Sequence, residues 1–214
     1  MKRQRFLLRS LLFPVMTSAL AALVLGACAT APKGDYVQKP LGSTAAYAVH
    51  GTGSYAPQSG QVTNKWVERT WEGKPIAAFE SRGFAILVNS NGAWPAILTP
   101  GGKPIISWDP PIGYNFPLVV GKTTTKTYQM TLHARNKTVP VQVTWKVEAY
   151  EDVTVPAGTF KAFKIHQSTS LGDENTSWYN PEVGNIKLSY TRTAKSPSGP
   201  GTRVSELVSQ TIAK

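Results

Sequence analysis

The chain has 214 residues, 23 lysine and arginine side chains against 12 aspartate and glutamate, a formal charge of +11, and one cysteine. A single cysteine excludes an intrachain disulfide framework and a thiolate metal cluster, so stability must come from burying apolar surface. Beyond the first ten positions the basic residues are scattered singly. That pattern reads as solvated charge, and it favours contact with anionic glycan or lipid over nucleic acid.

The N-terminus has three parts. Lys2, Arg3, Arg5 and Arg9 form a basic stretch, and Leu11 to Leu25 follows as an apolar run broken only by Pro14, Thr17 and Ser18. Its 15 residues suit a signal peptide and fall short of a membrane-spanning helix. Leu25-Gly26-Ala27-Cys28 then resembles a bacterial lipobox. The resemblance implies that the Cys28 thiol receives diacylglycerol and that cleavage leaves Cys28 as the acylated N-terminus. An ordinary signal peptide with a coincidental cysteine is the alternative.

The expected organisation is a leader over 1–27, a lipid-attached tether and entry segment over 28–60, and one β domain over 61–214. The mature chain would carry 19 basic and 12 acidic residues, a net +7. Several acyl chains, at about 0.8 kcal/mol per buried CH₂, would hold it permanently on a bilayer. Ala29, not aspartate, follows the cysteine. The expected placement is therefore the outer membrane, on its periplasmic side.

Strand signals begin near Val62. Lys65 to Trp71 carries β-formers, and Glu72-Gly73-Lys74-Pro75 supplies a turn. Short apolar runs follow at Ile76–Phe79, Phe84–Val88, Trp94–Leu98 and Pro104–Trp108, parted by glycine- and asparagine-rich turns. The clearest pattern is alternation over 127–134 and again over 139–149, across Arg135-Asn136-Lys137. Strand side chains alternate between faces, so this predicts a long hairpin with one buried and one wet side. Further strands are expected around Thr159–Ile165, Thr176–Tyr179 and Ile186–Thr191. Thr202–Ile212 is ambiguous, since Val204, Leu207, Val208, Thr211 and Ile212 fit helix spacing, and a strand is preferred because an antiparallel sheet needs closing. The acidic pairs Glu151-Asp152 and Asp173-Glu174 read as turn charges. The fold class is all-β: an antiparallel, strongly curved sheet, an open barrel or a sandwich.

Local reaction signatures are weak. Gly51-Thr52-Gly53-Ser54-Tyr55-Ala56 has the outline of a dinucleotide loop, but no strong strand precedes it and no helix pattern follows. Gly121-Lys122-Thr123 lacks the upstream glycine of a phosphate loop, since Phe116 stands there. His50, His133 and His166 have no partner at metal-ligand spacing. Asp109 reads as a loop carboxylate. No cofactor, metal or catalytic residue is assigned, and the chain is expected not to be an enzyme. The aromatic residues say more. Six tryptophans all fall on or beside expected strands. They serve either as large core filler or as a platform for lipid or sugar. Trp66 and Trp71 have opposite parity on one run, so a regular strand sends them to opposite faces. The candidate ligand-binding set is Trp66, Trp71, Trp108, Tyr114 and Trp178.

Three segments carry a further resemblance: Phe116 to Lys122, Val155-Pro156-Ala157-Gly158-Thr159-Phe160, and Trp178 to Lys187. They are similar to F-P-L-x-V-G-K, V-P-A-G-T-F and W-Y-x-P-x-V-G-x-V-K, motifs of an uncharacterised family of bacterial exported proteins and lipoproteins. The likeness spans about residues 110–210 and implies a periplasmic antiparallel β domain without assigned catalytic residues. These motifs are turn formers and large apolar groups, which suggests structural need. The leading expectation is a non-enzymatic interaction or envelope-assembly module whose partner is an envelope protein, anionic glycan or lipid. A carrier or sensor of an amphiphile held in the concave face is the second, and an envelope glycan or lipid hydrolase the third.

Overall fold

The structure is a computed structural model and describes residues 32–196 and 199–214. The expected leader and Cys28 lie outside the described residues. The strands are β1 (Lys33–Gly34), β2 (Thr44–Gly51), β3 (Gly60–Trp71), β4 (Lys74–Ser81), β5 (Phe84–Val88), β6 (Trp94–Leu98) and β7 (Pro104–Ile112). They continue as β8 (Leu118–Val119), β9 (Thr123–Leu132), β10 (Lys137–Val155), β11 (Gly158–Thr169), β12 (Asp173–Asn180), β13 (Gly184–Arg192) and β14 (Gly201–Thr211). A 3₁₀ turn, Gly53–Gln58, links β2 to β3.

Twelve strands run as an antiparallel meander, and the last, β14, pairs back onto β2. The curved sheet expected from the sequence therefore closes on itself, and closure removes the exposed edges that would invite another chain. Strands β1 and β8 stand outside the meander and pair with each other. Turn chemistry sets the register. Glu72-Gly73 and Arg82-Gly83 have positive φ at both positions. Such two-residue loops match the twist of the flanking strands, and they fix Trp71 opposite Lys74 and Ser81 opposite Phe84.

Alternation dictates which faces are buried. On β10, Val141, Val143, Trp145 and Val147 are buried while Gln142, Lys146 and Glu148 are exposed. Two expectations change. The segment expected as tether and entry contains β2, whose Tyr47 and Val49 are buried, so the barrel begins before residue 61. Glu151-Asp152 and Asp173-Glu174 are not turns. The 19 residues of β10 run straight through the first pair, where Asp152 meets Lys161 at 2.9 Å, and the second pair opens β12.

Eight strands leave an interior that side chains just fill, but twelve leave more room. Chain from the barrel's ends takes up part of it. Leu118 of β8 joins a cluster with Tyr128, Val143, Trp145, Phe163, Ile165 and Tyr179. Gly34 of β1 lies flat on Phe163, so closely that a Cβ there would sit 2.5 Å from the ring. The remaining interior is open.

Candidate binding site inside the barrel

The open interior is a cavity of about 510 Å³, within the range of small-molecule sites. Strand pairing builds two unlike walls. On one side Trp66 pairs with Phe79, Phe79 with Ile86, and Ile86 with Ile97. The ring of Phe79 sits 5.7 Å from that of Trp66 and 5.8 Å from that of Trp94. These spacings are those of favourable aromatic pairs.

The opposite wall is polar. Gln167 pairs with Asn175, Asn175 with Tyr190, and Tyr190 with Arg203, one residue from each of four consecutive strands at one level. All four line the cavity. Asn175 Nδ2 donates to Gln167 Oε1 at 3.3 Å, but Asn175 Oδ1 is buried without a partner. Asn64 Oδ1 and Arg203 Nε, also on the lining, are likewise buried and unpartnered.

The two ends are covered differently. At the end carrying the β2–β3 and β13–β14 connections, Tyr55 of the 3₁₀ turn is buried against Arg192 and Arg203, whose guanidinium carbons lie 4.2 and 5.1 Å from its ring centroid. At the other end Tyr36, Tyr114, Phe116 and Tyr179 form a plug, with ring centroids 5.5 to 6.0 Å apart. The Tyr114 hydroxyl lies 2.8 Å from Ser177 Oγ and donates to Asn185 Oδ1 at 3.2 Å. Lys39 is buried beside the plug, with Nζ donating to the Glu182 carbonyl; burial lowers its pKa.

Burial also disfavours ionised phenols. It pushes Tyr128 and Tyr179 up to about 12, and Tyr36, Tyr47 and Tyr114 higher still. An unfolded tyrosine ionises near 10, so between about pH 10 and 12 only the unfolded chain gains from losing these protons. This stabilisation is full below pH 10 and is lost as the pH rises. Tyrosinate absorbance in an alkaline titration is therefore expected to appear together with loss of β circular dichroism. Full ionisation near pH 10 with the barrel intact would contradict the buried plug.

Of the residues singled out from the sequence, Trp66, Trp108 and Tyr114 line the cavity together. Trp71 faces the other side of the sheet, packed on Ala78, Leu87 and their neighbours, as its parity requires. Trp178 is also absent from the lining; its Nε1 donates to Glu151 Oε1 at 2.8 Å and Lys187 lies over its ring. The polar row has no local cue, since its members meet only through cross-strand register. Asn175, Ser177 and Tyr179 do recur at the strand period of two on β12, a signal that polar side chains conceal.

Other candidates sit elsewhere. His133 Nε2 lies 2.9 Å from Ser107 Oγ, but the pair is exposed, and among the described residues no carboxylate bonds the other ring nitrogen. His166 reaches Thr176 at 3.4 Å. Asp109 is exposed on β7 opposite Gln129. Among the described residues no three histidine, cysteine or acidic side chains converge as for a metal.

Residues 115–196 match the family model described as DUF3108-like, a span that takes in all three motif segments noted above. No curated protein matches the sequence. Three solved structures are similar at low identity. A protein assigned as a lipoprotein from Parabacteroides distasonis is 11% identical with a TM-score of 0.42, and the alignment covers 83% of this chain and 99% of that one. An exported protein with a YmcC-like fold from Bacteroides fragilis is 10% identical with a TM-score of 0.44, over the same shares. The hypothetical lipoprotein YmcC from Escherichia coli is 7% identical with a TM-score of 0.35, covering 80% of this chain and 85% of that one.

Proposed function

We propose that this is a lipid-anchored protein of the cell envelope whose barrel binds a small amphiphile without transforming it. The observation that carries the reading is the cavity, lined by an aromatic wall facing a polar one. Protein interiors are close-packed, and an unfilled apolar volume is destabilising. A buried polar atom without a partner costs about 1–3 kcal/mol more. A bound molecule with an apolar body and a polar head would relieve both. The basic N-terminus, the apolar run and the lipobox at Cys28 support the envelope placement, on the periplasmic side of the outer membrane.

A docking module would use its outer face, and a hydrolase would need its acid–base groups beside the substrate. The enclosed volume favours neither, and the exposed Ser107–His133 pair lies on the outer face of the barrel. The direct test is titration of the chain from Ala29 onward, which contains every described strand, with the fluorophore phenylnaphthylamine. Saturable enhancement at one molecule per chain is expected. Absence of binding, or turnover of an envelope ester or glycan by pure protein, would overturn the reading.

A further inference from the structure

The polar wall is asymmetric in charge. Arg192 and Arg203 flank the same tyrosine, Tyr55, but they are compensated differently. Arg192 has Asp173 at 4.0 Å, whereas Arg203 is in no ion pair among the described residues. Its guanidinium is nevertheless held in place. Nη1 donates to Gln58 Oε1 at 2.5 Å, and the guanidinium carbon lies 4.2 Å from the ring centroid of Tyr190. That leaves Nε–H, buried and unpartnered, on the lining of the cavity. A cation fixed on two aromatic faces, with a free donor in a low-dielectric space, is arranged for an anion.

The neighbours on the row extend the arrangement. Asn175 is 8% exposed, and its side-chain oxygen has no partner. Rotation of a carboxamide by 180° exchanges its oxygen for N–H donors, so Asn175 with Gln167 can meet either the oxygens or the hydroxyl of a head group. Across the cavity Trp66, Phe79, Ile86 and Trp94 form the apolar surface, with Asn64, Ser81 and Arg82 also on that side of the lining.

We infer that the ligand is an anionic amphiphile, oriented with a carboxylate or phosphate head on Arg203 and an aliphatic tail along the Trp66–Phe79–Trp94 wall. The inference rests on the binding reading above and adds the head-group charge and the direction. The lining carries two other cations: Arg82, which is exposed and whose Nη2 donates to the Gln58 carbonyl, and Lys39 at the plug end. The Lys39 Nζ already has the Glu182 carbonyl, and burial weakens its charge. The head therefore belongs at the Arg203 end.

The test displaces phenylnaphthylamine with dodecanoate, dodecyl phosphate and dodecanol, ligands of one tail length. Wild type is expected to prefer at least one anion over the alcohol by about tenfold or more, the scale of one desolvated charge-assisted hydrogen bond. The tighter anion identifies the head, a carboxylate or a phosphate. Arg203→Gln should reduce the preference to near unity, the loss falling on the anions and not on dodecanol. Lys39→Gln should keep the preference. Should Arg203→Gln fail to fold, Arg203→Lys decides, because it keeps the charge and loses the planar fork, and should retain a reduced preference.

Equal binding of all three ligands would overturn the head-group assignment and leave the cavity reading standing. Loss of the preference in Lys39→Gln instead of the Arg203 variants would overturn the orientation. Failure of all three ligands and the fluorophore would overturn both readings.

Discussion

Replacing Phe163 by alanine is expected to cost about 3–5 kcal/mol of folding stability, the range for truncating a buried aromatic. Three contacts explain why the upper part of that range applies. Phe163 is 1% exposed in the largest core cluster. Its ring carries Gly34, the β1 residue that ties the N-terminal segment to the barrel. It also packs against Tyr150, the rings tilted at 45° with centroids 4.6 Å apart, a pair that adds roughly 0.5–1.5 kcal/mol beyond area. Truncation removes all of these together, and the glycine cannot refill the space. Urea unfolding of the variant checks the size, with Tyr150→Ala as the comparison. Tyr150 is 38% exposed, so its removal should cost no more than about 1–2 kcal/mol. Equal losses for the two variants would mean that Phe163 is not the centre of this cluster.

The segment that Phe163 holds in place also shows where sequence reading stopped. Strands β3 to β7 and β9 to β13 were legible because each carries its own local signal, whereas β14 also fits helix spacing and reads as a strand only because the sheet needs closing. Glycine at the second turn position marks two hairpins, and alternation on β9 and β10 is nearly unbroken. Strand β2 was not legible. Ala45, Ala46, Ala48 and Gly51 make it resemble a linker, and small residues carry little strand preference of their own. What turns it into a strand is pairing with β14 more than 150 residues away and with β3 after it. Closure of the barrel depends on that distant pair, and no local window contains it.

The candidate site divides the same way. Its aromatic half was visible, since tryptophans stand out, and parity alone separated Trp66 from Trp71. Excluding Trp178 needed the register of β12, in which Asn175 and Tyr179 line the cavity and Ser177, bonded to Tyr114, shares their face. Inward polar residues are the reverse of the usual pattern. A strand such as β14, with Arg203 and Ser205 facing the cavity, then loses its alternation exactly where the site lies. Departures from local rules cluster at functional sites for this reason.

If the interior is a ligand site and not merely loose packing, filling it should remove binding while sparing the fold. Leu188 sits between Ser177 and Ser205 on the lining, and Ala45 lies opposite Asn64. All three neighbours are small or slender, so larger side chains at 188 and 45 can turn into open volume. The double variant Ala45→Phe/Leu188→Trp is expected to weaken phenylnaphthylamine binding at least about tenfold, or roughly 1.4 kcal/mol. Stability should hold within about 1.5 kcal/mol, as for substitutions that do not overpack a core. Trp71→Ala, on the other face of the sheet, should leave binding unchanged. A well-packed interior would respond the other way, with a destabilisation of about 1–3 kcal/mol from forced side chains. Unaltered fluorophore binding in the filled variant would place the bound molecule on the outer surface and return the docking module to first place.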